Sequence, residues 1–474
     1  MKIMLFAPEM VLLLGALAIF LLCASKNGHR AAGRLTLAVA LAAMAASLVS
    51  LGSEGLVFYQ AYKIDLFSQV LKFLMAAGLA CVLIFGKELK DISQDMRPEY
   101  YLFLVFSTLG LVMLVSSVEL LTLFIALELS SYSLYLLVPM RQERPGLRMQ
   151  MESAIKYILF GVAATAVMLF GMSYLFGLTG TTYFTALMPA LRSMMDSPAA
   201  LAGIAMVMAG FFFKLAVFPF HFWVPDVYQG AANETTAFIA SVPKVAAVAV
   251  LIRLAALASP EGHHLTAMIA VFSVLSMFYG NLVALVQTDL KRMLGFSGIA
   301  HAGYVLLGLV TLGEFGFASA LYYITGYLVM IVAGFLVICT VAKDGENLAI
   351  SDMSGLHKRS PLMAFTLAVS MFALAGLPPF AGFMGKFLLL TGAYKAGYLP
   401  LVILAVINTA ISIYYYLSVV RVAYCVDPGQ RPDLAVTVPA KALSLALVVI
   451  ITALGLAPDS LMKAFTDAVR SILS

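Results

Sequence analysis

Apolar runs of about 20 residues follow one another along almost the whole chain, separated by short polar stretches. A helix of about 20 residues is long enough to cross the hydrocarbon core of a bilayer. Backbone groups inside a bilayer must be hydrogen-bonded within the protein, which favours helices. We therefore predict an all-α polytopic membrane protein with about fourteen transmembrane helices. The runs begin near Met4, Ala32, Leu66, Tyr100, Glu119, Ser153, Ala200, Glu234, Leu265, Arg292, Phe315, Pro361, Ala396 and Ala440.

The composition agrees with a chain surrounded by lipid. Of the 474 residues, 62% are hydrophobic and 11% are charged, and the mean hydropathy is +1.00. Soluble domains contain roughly 45–50% apolar and about 25% charged residues. A buried core alone does not account for this apolar excess, so we expect the outer surface to face a lipid bilayer.

The four cysteines are far apart, and each lies in an apolar run, so no spacing typical of a metal or redox site is present. They are Cys23, Cys81, Cys339 and Cys425. The sequence also lacks a recognisable motif for an iron–sulfur cluster, a haem or a nucleotide. We therefore expect no metal and no cofactor in this chain.

Lysine and arginine are distributed unevenly between the two ends of the predicted helices. Counting loops from the N-terminus, 17 of the 29 Lys and Arg fall in odd-numbered loops, and 7 fall in the termini and even-numbered loops. The positive-inside rule then predicts that the odd loops are cytoplasmic and that both termini lie on the opposite side. The formal net charge of +5 gives no reason to expect a nucleic-acid partner.

The first run has an alternative interpretation as a signal peptide, because Lys2 precedes an apolar stretch that ends at Cys23. The stretch is about 20 residues long and contains Pro8 and Glu9 near its start. Leu22 stands where a cleavage site needs a small residue. We interpret the run as the first transmembrane helix.

Two predicted helices, the seventh and the twelfth, are interrupted by proline. They read FFFKLAVFPFHFWVPDVYQG from Phe211 and FALAGLPPFAGFMGKFLLL from Phe372, with Pro219 and Pro379 aligned. An offset of five helices is odd, so two such repeats are inverted in the membrane. Paired interrupted helices in inverted repeats predict a transport site near mid-membrane. Two ordinary kinks are the alternative.

This pattern divides the chain into four parts. We predict helices one to three over 1–98, a first five-helix repeat over 99–258, a second over 265–425, and helix fourteen with an amphipathic tail over 437–474. The tail spaces its apolar residues four apart, which is typical of a helix lying at the membrane interface.

Five lysines lie inside apolar runs rather than in loops. They are Lys72, Lys156, Lys214, Lys244 and Lys386. Lys156 is within a turn of a helix end and can extend to the interface, and Lys72 is about two turns in, so that its role is open. A lysine at a helix centre costs roughly 2.5–3.5 kcal/mol on insertion scales. Because Lys214 and Lys386 lie in the broken helices and Lys244 follows Pro243, we predict a hydrated polar track there.

Glu128, in LFIALELSSYSLYLL, is the one deep carboxylate and needs a cationic partner. Burial favours the neutral amine of a lysine, whereas a nearby carboxylate favours the charged form. Movement of Glu128 relative to Lys214 would therefore switch that lysine between holding and releasing a proton, which points to a relay through Lys214, Lys244 and Lys386. A static set of ion pairs that braces the helices is the alternative.

Two histidines extend this hypothesis, since histidine titrates near neutrality. His221 lies two turns beyond Lys214 on the same predicted helix face, and His301 lies in the tenth helix within KRMLGFSGIAHAGY. A structural role is equally compatible with each. Hydroxyl side chains near them are candidates for lining water or for packing: Ser297, Tyr304, Tyr323 and Tyr327.

Several of these segments together resemble the antiporter-like subunits of respiratory complex I, the NADH–quinone oxidoreductase. The run FKLAVFPFHFWVPDVYQGA, Phe213 to Ala231, is similar to the hallmark of that family, and its DVYQGA form with Lys244 resembles the N-subunit branch. ALELSSYSLYLL, LKRMLGFSGIAHAGY and GLPPFAGFMGKF resemble its fifth, tenth and twelfth helices. The resemblance covers nearly the whole chain.

The resemblance implies roles for four residues. Glu128 and Lys214 would form a modulating ion pair, Lys244 the central relay on the cytoplasmic input side, and Lys386 the terminal relay. It also implies two inverted five-helix repeats, a place in the bacterial inner membrane, and other membrane-arm subunits as partners, including a neighbouring antiporter-like subunit. NADH, FMN, iron–sulfur clusters and quinone would be bound by partner subunits.

One segment departs from the family, which usually continues after QGA with proline and small residues. This chain has Ala232, Asn233, Glu234 and Thr235 there, so a carboxylate stands at the start of the eighth helix. The departure puts the local input geometry in question. Three other functions stay open: a subunit of a multi-subunit sodium/proton antiporter, a subunit of a related ferredoxin-fed complex, and a scaffold that does not pump.

Overall fold

The computed structural model describes residues 5–25, 28–143, 149–194, 197–256 and 263–473, and most of them are helical. The helices up to the first interruption are α1 Ala7–Cys23, α2 Gly28–Val49, α3 Leu66–Phe85, α4 Arg97–Ser116, α5 Leu120–Leu137, α6 Met149–Thr179, α7 Phe184–Arg192 and α8 Pro198–Leu215. The others are α9 Val224–Gly230, α10 Asn233–Ala255, α11 His263–Ala284, α12 Leu290–Val310, α13 Glu314–Val341, α14 Leu356–Arg359, α15 Pro361–Ala375, α16 Ala381–Lys395, α17 Leu399–Cys425, α18 Val438–Leu456 and α19 Asp459–Leu473. Within these described ranges, three short 3-10 helices cover Gln94–Met96, Val138–Met140 and Ile350–Met353.

The predicted fold class is confirmed. Within the described residues, 12 helices are long and apolar enough to cross a membrane, and α1 and α15 are apolar but shorter. Counting α8 with α9 and α15 with α16 as single interrupted spans, these helices match the predicted set. One small departure from an all-α chain is an antiparallel hairpin of β1 Gly55–Val57 and β2 Tyr62–Ile64 in the second loop.

Both predicted interruptions are present. Helix α8 is followed by Ala216, whose φ of 70° is left-handed, and α15 is followed by Gly376, whose φ is 87°. Pro219 and Pro379 follow within the breaks, and each is preceded by a cis peptide bond. A left-handed residue and a proline without an N–H together stop the helical hydrogen-bond ladder and leave its last carbonyls free. Helix α10, in contrast, continues through Pro243 without a break.

The interrupted spans surround a central pair of helices. In the most apolar stretches of α10 and α12, 100% of the residues are buried. In those of α6, α17 and α18, only 33% of the residues are buried. Large apolar side chains such as Leu14, Leu159 and Val449 lie exposed on outer helices. An exposed apolar surface of this extent fits contact with lipid or with other membrane chains. Five ionisable residues of α10 and α12 are buried in this interior: Glu234, Lys244, Arg253, Lys291 and His301.

The ends of the helices near the even-numbered loops, here called the even-loop side, carry a buried charge cluster. Lys72 Nζ lies 2.6 Å from Glu9 Oε1, and the Tyr62 hydroxyl donates to the same oxygen at 2.5 Å. Arg253 donates to both carboxylate oxygens of Asp65 at 3.0 and 2.9 Å, and Asp65 caps the start of α3. The open question about Lys72 is thus answered by an ion pair, which ties α1 to α3.

The opposite ends, here called the odd-loop side, are also held by charges. Arg141 Nε lies 2.5 Å from Asp91 Oδ2, and its other nitrogens donate to the Asn347 side chain and to the carbonyls of Gln229 and Gly345. Lys156, predicted to have a structural role at a helix end, bonds Asp226 at 2.6 Å. Lys291 was assigned to a loop from the sequence, but it is fully buried and donates to a backbone carbonyl at the start of α10.

Other sequence-based predictions have different outcomes. The C-terminal tail forms α19, and it buries Phe465, Ala468 and Val469 against the rest of the chain. The divisions at residues 98, 258 and 425 stay predictions. Four of the basic residues counted in loops and termini lie outside the described residues: Lys2, Lys26, Arg144 and Arg148.

The Glu9–Lys72 ion pair leads to a stability prediction. Glu9→Gln leaves Lys72 buried without a counter-charge, and removal of one partner of a buried pair costs about 3–5 kcal/mol. We expect a lower melting temperature of the purified protein, and a largely restored one in Glu9→Gln/Lys72→Met, where both charges are gone. Asp427→Asn, which opens the exposed pair with Lys358, is the control and should change little. A double variant as unstable as the single one would contradict the importance of charge pairing.

Candidate functional site

The six residues proposed from the sequence all lie in the interior. They are Glu128, Lys214, His221, Lys244, His301 and Lys386, and each is at most 8% exposed. Burial of so many ionisable groups is costly unless each one finds hydrogen-bond partners or charge partners. The contacts of the six side chains differ. Three of them belong to one connected set of side chains, and the other three lie outside it.

Lys214 occupies the last turn of α8, next to the break. Its Nζ donates to the Ser131 hydroxyl at 3.1 Å and lies 3.4 Å from the Ser130 hydroxyl, both on α5. Glu128, one turn earlier on α5, accepts from Thr165 at 2.8 Å instead of forming a direct ion pair with Lys214. The carboxylate is still near enough to act electrostatically on the lysine. In this conformation the implied pair is therefore open, with hydroxyl groups solvating the ammonium.

His221 does not lie on one helix face with Lys214, and that expectation was wrong. Helix α8 ends at Leu215, so the intervening chain turns away before His221 is reached. The imidazole ring lies 4.4 Å from the Tyr279 ring and stacks on Phe218, while both ring nitrogens are buried without a hydrogen-bond partner in the described chain. Its contacts are aromatic, which separates it from the lysines.

Lys244 lies in the fully buried α10. Its Nζ is 3.4 Å from the Gly298 carbonyl and 3.5 Å from the Tyr327 hydroxyl, and it lies 5.2 Å from the centre of the Tyr327 ring. These contacts are long for hydrogen bonds. No carboxylate pairs with Lys244 within the described residues. The amine is thus weakly held, which suits a group that gains and loses a proton.

His301 connects Lys244 with the far side of the core. Its two ring nitrogens bond the hydroxyls of Tyr323 at 2.6 Å and Tyr416 at 2.9 Å. Its ring centre lies 5.0 Å from that of Tyr327, which contacts Lys244. Because each nitrogen of an imidazole can donate or accept, a proton that enters at one can leave from the other.

Lys386 lies in α16, just beyond the second break. Its Nζ donates to the Ala375 carbonyl at 3.0 Å and to the Leu374 carbonyl at 3.3 Å, which are freed where α15 ends. The carbonyls left free by the break therefore solvate the buried ammonium. The amine also lies 4.7 Å from the centre of the Tyr304 ring, and both Lys386 and Lys244 act electrostatically on His301.

The structure therefore brings three of the six predicted residues, together with three of the candidate tyrosines, into one chain of contacts across the core, here called the central row. Its members in spatial order are Lys244, Tyr327, His301, Tyr323, Tyr304 and Lys386. Lys214 and Glu128 lie at one end of the molecule's core, and no hydrogen bond joins Lys214 to Lys244 in the described residues. His221 lies apart.

Some members of the site were missed from the sequence. Tyr416, which bonds His301, belongs to three consecutive tyrosines in α17, and this unusual run within an apolar helix was the available signal. Ser131 and Thr165, which bond Lys214 and Glu128, carry no such signal because single hydroxyl residues are common in membrane helices. Only the packing of α5, α6 and α8 identifies them.

Comparisons with known proteins agree on one family. Residues 117–412 match the model of the family described as NADH:quinone oxidoreductase/Mrp antiporter, TM. NADH-quinone oxidoreductase subunit N 2 of Opitutus terrae is 53% identical and covers 98% of this chain and 98% of its own length. A chain of respiratory complex I from Thermus thermophilus, 32% identical, has a TM-score of 0.84 and covers 96% of this chain and 98% of that chain.

A chain of the Mrp complex from Dietzia sp. DQ12-45-1b is similar in fold. It has a TM-score of 0.88 and covers 100% of this chain and 98% of that chain, at 20% sequence identity. At this identity the likeness concerns the fold alone.

Gly298 gives a test of the space around Lys244. A Cβ atom at Gly298 would lie 2.8 Å from Lys244 Nζ and 3.1 Å from the Tyr327 hydroxyl, so Gly298→Ala should displace the ends of two side chains and no backbone, and change the melting temperature little. Gly280→Ala is the contrasting variant, since its Cβ would lie 2.5 Å from the backbone nitrogen of Ala300 and force α11 from α12. Equal loss of stability in both variants would show that Lys244 is held rigidly.

Proposed function

Because the chain belongs to the NADH-quinone oxidoreductase subunit N family, we propose that it carries protons across the membrane as an antiporter-like subunit of a respiratory NADH–quinone oxidoreductase. The central row is the observation that carries this proposal. It places two lysines, a histidine and three tyrosines in contact through the middle of the helices. A scaffold gains nothing from such a row, since buried ionisable groups are costly.

The proposed mechanism is a series of proton transfers between neighbouring groups. A protonated Lys244 passes its proton toward His301, and His301 passes one on toward Lys386 through the tyrosine hydroxyls or through water beside them. A positive charge that arrives at His301 repels the charge on Lys386 and favours its release onward, and the emptied Lys386 can then accept the next proton. The free carbonyls of α15 stabilise the charged form of Lys386 while it waits.

Glu128 modulates the other end. In the open arrangement Lys214 is solvated by hydroxyls, and approach of the carboxylate would stabilise the ammonium and hold the proton. Transport of one charge against 100 mV requires about 2.3 kcal/mol. A shift of about two pKa units in a single lysine would supply that, because one unit corresponds to about 1.36 kcal/mol.

Redox chemistry takes place elsewhere in the proposed complex. Partner subunits bind NADH, FMN, iron–sulfur clusters and quinone, and quinone reduction triggers the changes that reach this chain. Its neighbours are other membrane-arm subunits, including a second antiporter-like subunit, and the exposed apolar side chains of the outer helices offer the contact surface. We place the chain in the bacterial inner membrane with the odd-loop side in the cytoplasm and both termini on the periplasmic side.

The sodium/proton antiporter is the alternative that shares the fold. Sequence identity argues against it. This chain is 53% identical to the NADH-quinone oxidoreductase subunit of Opitutus terrae but only 20% identical to the Mrp chain of Dietzia. A tagged chain purified from native membranes in mild detergent distinguishes them. Copurification of NADH-driven quinone reduction supports the proposal, and a stable assembly without that activity points to an antiporter or to a complex with another electron donor.

Lys214→Ala tests the role of the first lysine. Loss of a positioned acid–base group slows the transfer it performs by roughly 10²-fold or more, so we expect fewer protons translocated per NADH in reconstituted vesicles. Glu128→Gln should have the same direction of effect, since it removes the charge that acts on Lys214. Subunit content of the purified complex controls for assembly. A well-assembled Lys214→Ala complex with normal pumping would exclude Lys214 from the relay.

A further inference from the structure

A cavity opens on the odd-loop side, away from the central row. It has a volume of about 420 Å³ and lies between the end of α3, the end of α13 and the stretch 435–440. Its charged lining residues are Lys87, Glu88, Lys90, Arg97 and Glu234. A polar cavity of this size has room for several water molecules, each of which takes about 30 Å³ in the liquid.

Glu234 differs from the other charged residues of this cavity. It is 4% exposed and stands in the first turn of α10, and its Oε2 atom is buried without a hydrogen-bond partner in the described chain. Its side chain packs against Gly86 at the end of α3, where a Cβ atom would come within 2.8 Å of the Glu234 Cγ. A buried carboxylate oxygen with no partner is costly in a structural role. It is expected where the group exchanges protons with water.

The nearby cations are occupied elsewhere. Lys90 donates to the carbonyls of Cys339 and Ala342, and Lys291 donates to the carbonyl of Ala231 at 2.8 Å. Both act on Glu234 electrostatically, but neither forms an ion pair with it in the described residues. Glu234 thus lies within electrostatic range of two lysines and of the Asp91 carboxylate, and it lacks the tight ion pair that holds Glu9.

One face of α12 connects Glu234 with Lys244. The two residues are ten positions apart on α10, about 15 Å along the helix axis, so groups between them are needed. Lys291 of α12 donates to the carbonyl of Ala231 between α9 and α10, and Gly295 and Gly298 face α9 and α10. His301, one turn further on, contacts Tyr327 of α13 beside Lys244. Along α12, Lys291 lies nearest to Glu234, Gly295 and Gly298 follow without side chains, and His301 of the central row lies furthest away.

The space beside these glycines contains a second unpartnered group. A Cβ atom at Gly295 would lie 3.4 Å from the ring of Tyr228, and one at Gly298 would lie 4.0 Å from the Tyr228 hydroxyl and 2.8 Å from Lys244 Nζ. The Tyr228 hydroxyl is buried and has no hydrogen-bond partner in the described residues. The hydroxyl and the amine therefore face the same small gap.

We propose that Glu234 is the proton-loading residue of this chain, taking up protons from water in the cavity on the odd-loop side and passing them along this face of α12 to Lys244. In each cycle the carboxylate binds one proton from water and releases it toward the Lys244 amine, with no electron transferred. This inference rests on the proposed function, since it names the entrance to the central row. It also assigns a role to Glu234, which stands where the family usually has proline and small residues.

The test uses the assembled complex in proteoliposomes, with protons translocated per NADH oxidised as the readout. Glu234→Gln keeps the size of the side chain but cannot exchange a proton, and Glu234→Asp keeps the carboxylate. Lys244→Met serves as the reference for complete loss of the pathway. Glu152→Gln, an exposed carboxylate on the same side that pairs with Lys156, is the matched control.

We expect Glu234→Gln to lose as much pumping as Lys244→Met, Glu234→Asp to regain most of it, and Glu152→Gln to match the unmodified complex. A merely structural role for Glu234 predicts the reverse order, because the amide fits the site better than the shorter aspartate. Normal pumping in Glu234→Gln beside a loss in Lys244→Met would overturn this inference alone. Normal pumping in Lys244→Met would overturn the proposed function.

Discussion

A buried ammonium needs acceptors within the protein, and the arrangement of the core follows from that need. At Lys386 the acceptors are the two carbonyls freed where α15 stops. At Lys214, on the other broken span, they are hydroxyls of the neighbouring α5. The breaks therefore do more than bend the chain, because they allow positive charge to reside at depths where an isolated lysine costs roughly 2.5–3.5 kcal/mol.

The two kinds of buried lysine differ in how tightly they are paired. Lys72 Nζ forms an ion pair with Glu9 Oε1 at 2.6 Å, and this pair holds α1 against α3. Lys244 has only long contacts with a carbonyl and a hydroxyl. A tightly paired charge resists a change of protonation, whereas a loosely held one allows it. The same residue type thus forms a tight ion pair near one end and, in the centre, a loosely held amine that suits the proposed relay.

The sequence predicted the spans, the interrupted helices and the central lysines because each leaves a local signal: an apolar run, a proline, a charge among apolar residues. It failed where partners come from distant helices. The bond between His301 and Tyr416 joins residues 115 positions apart. The burial of Lys291 also depends on the packing of α10 against α12 rather than on its neighbours in sequence. His221 was misplaced because α8 ends earlier than periodicity alone suggests.

His301 connects the two lysines of the central row, since it bonds two tyrosines and lies near enough to both Lys244 and Lys386 for their charges to act on it. The most direct measurement is the number of protons translocated per NADH oxidised by the reconstituted complex carrying His301→Gln. Glutamine keeps hydrogen bonding in the site but cannot pass a proton from one ring nitrogen to the other. A continuous row predicts a lower ratio in a fully assembled complex. An unchanged ratio would contradict proton transfer through the row.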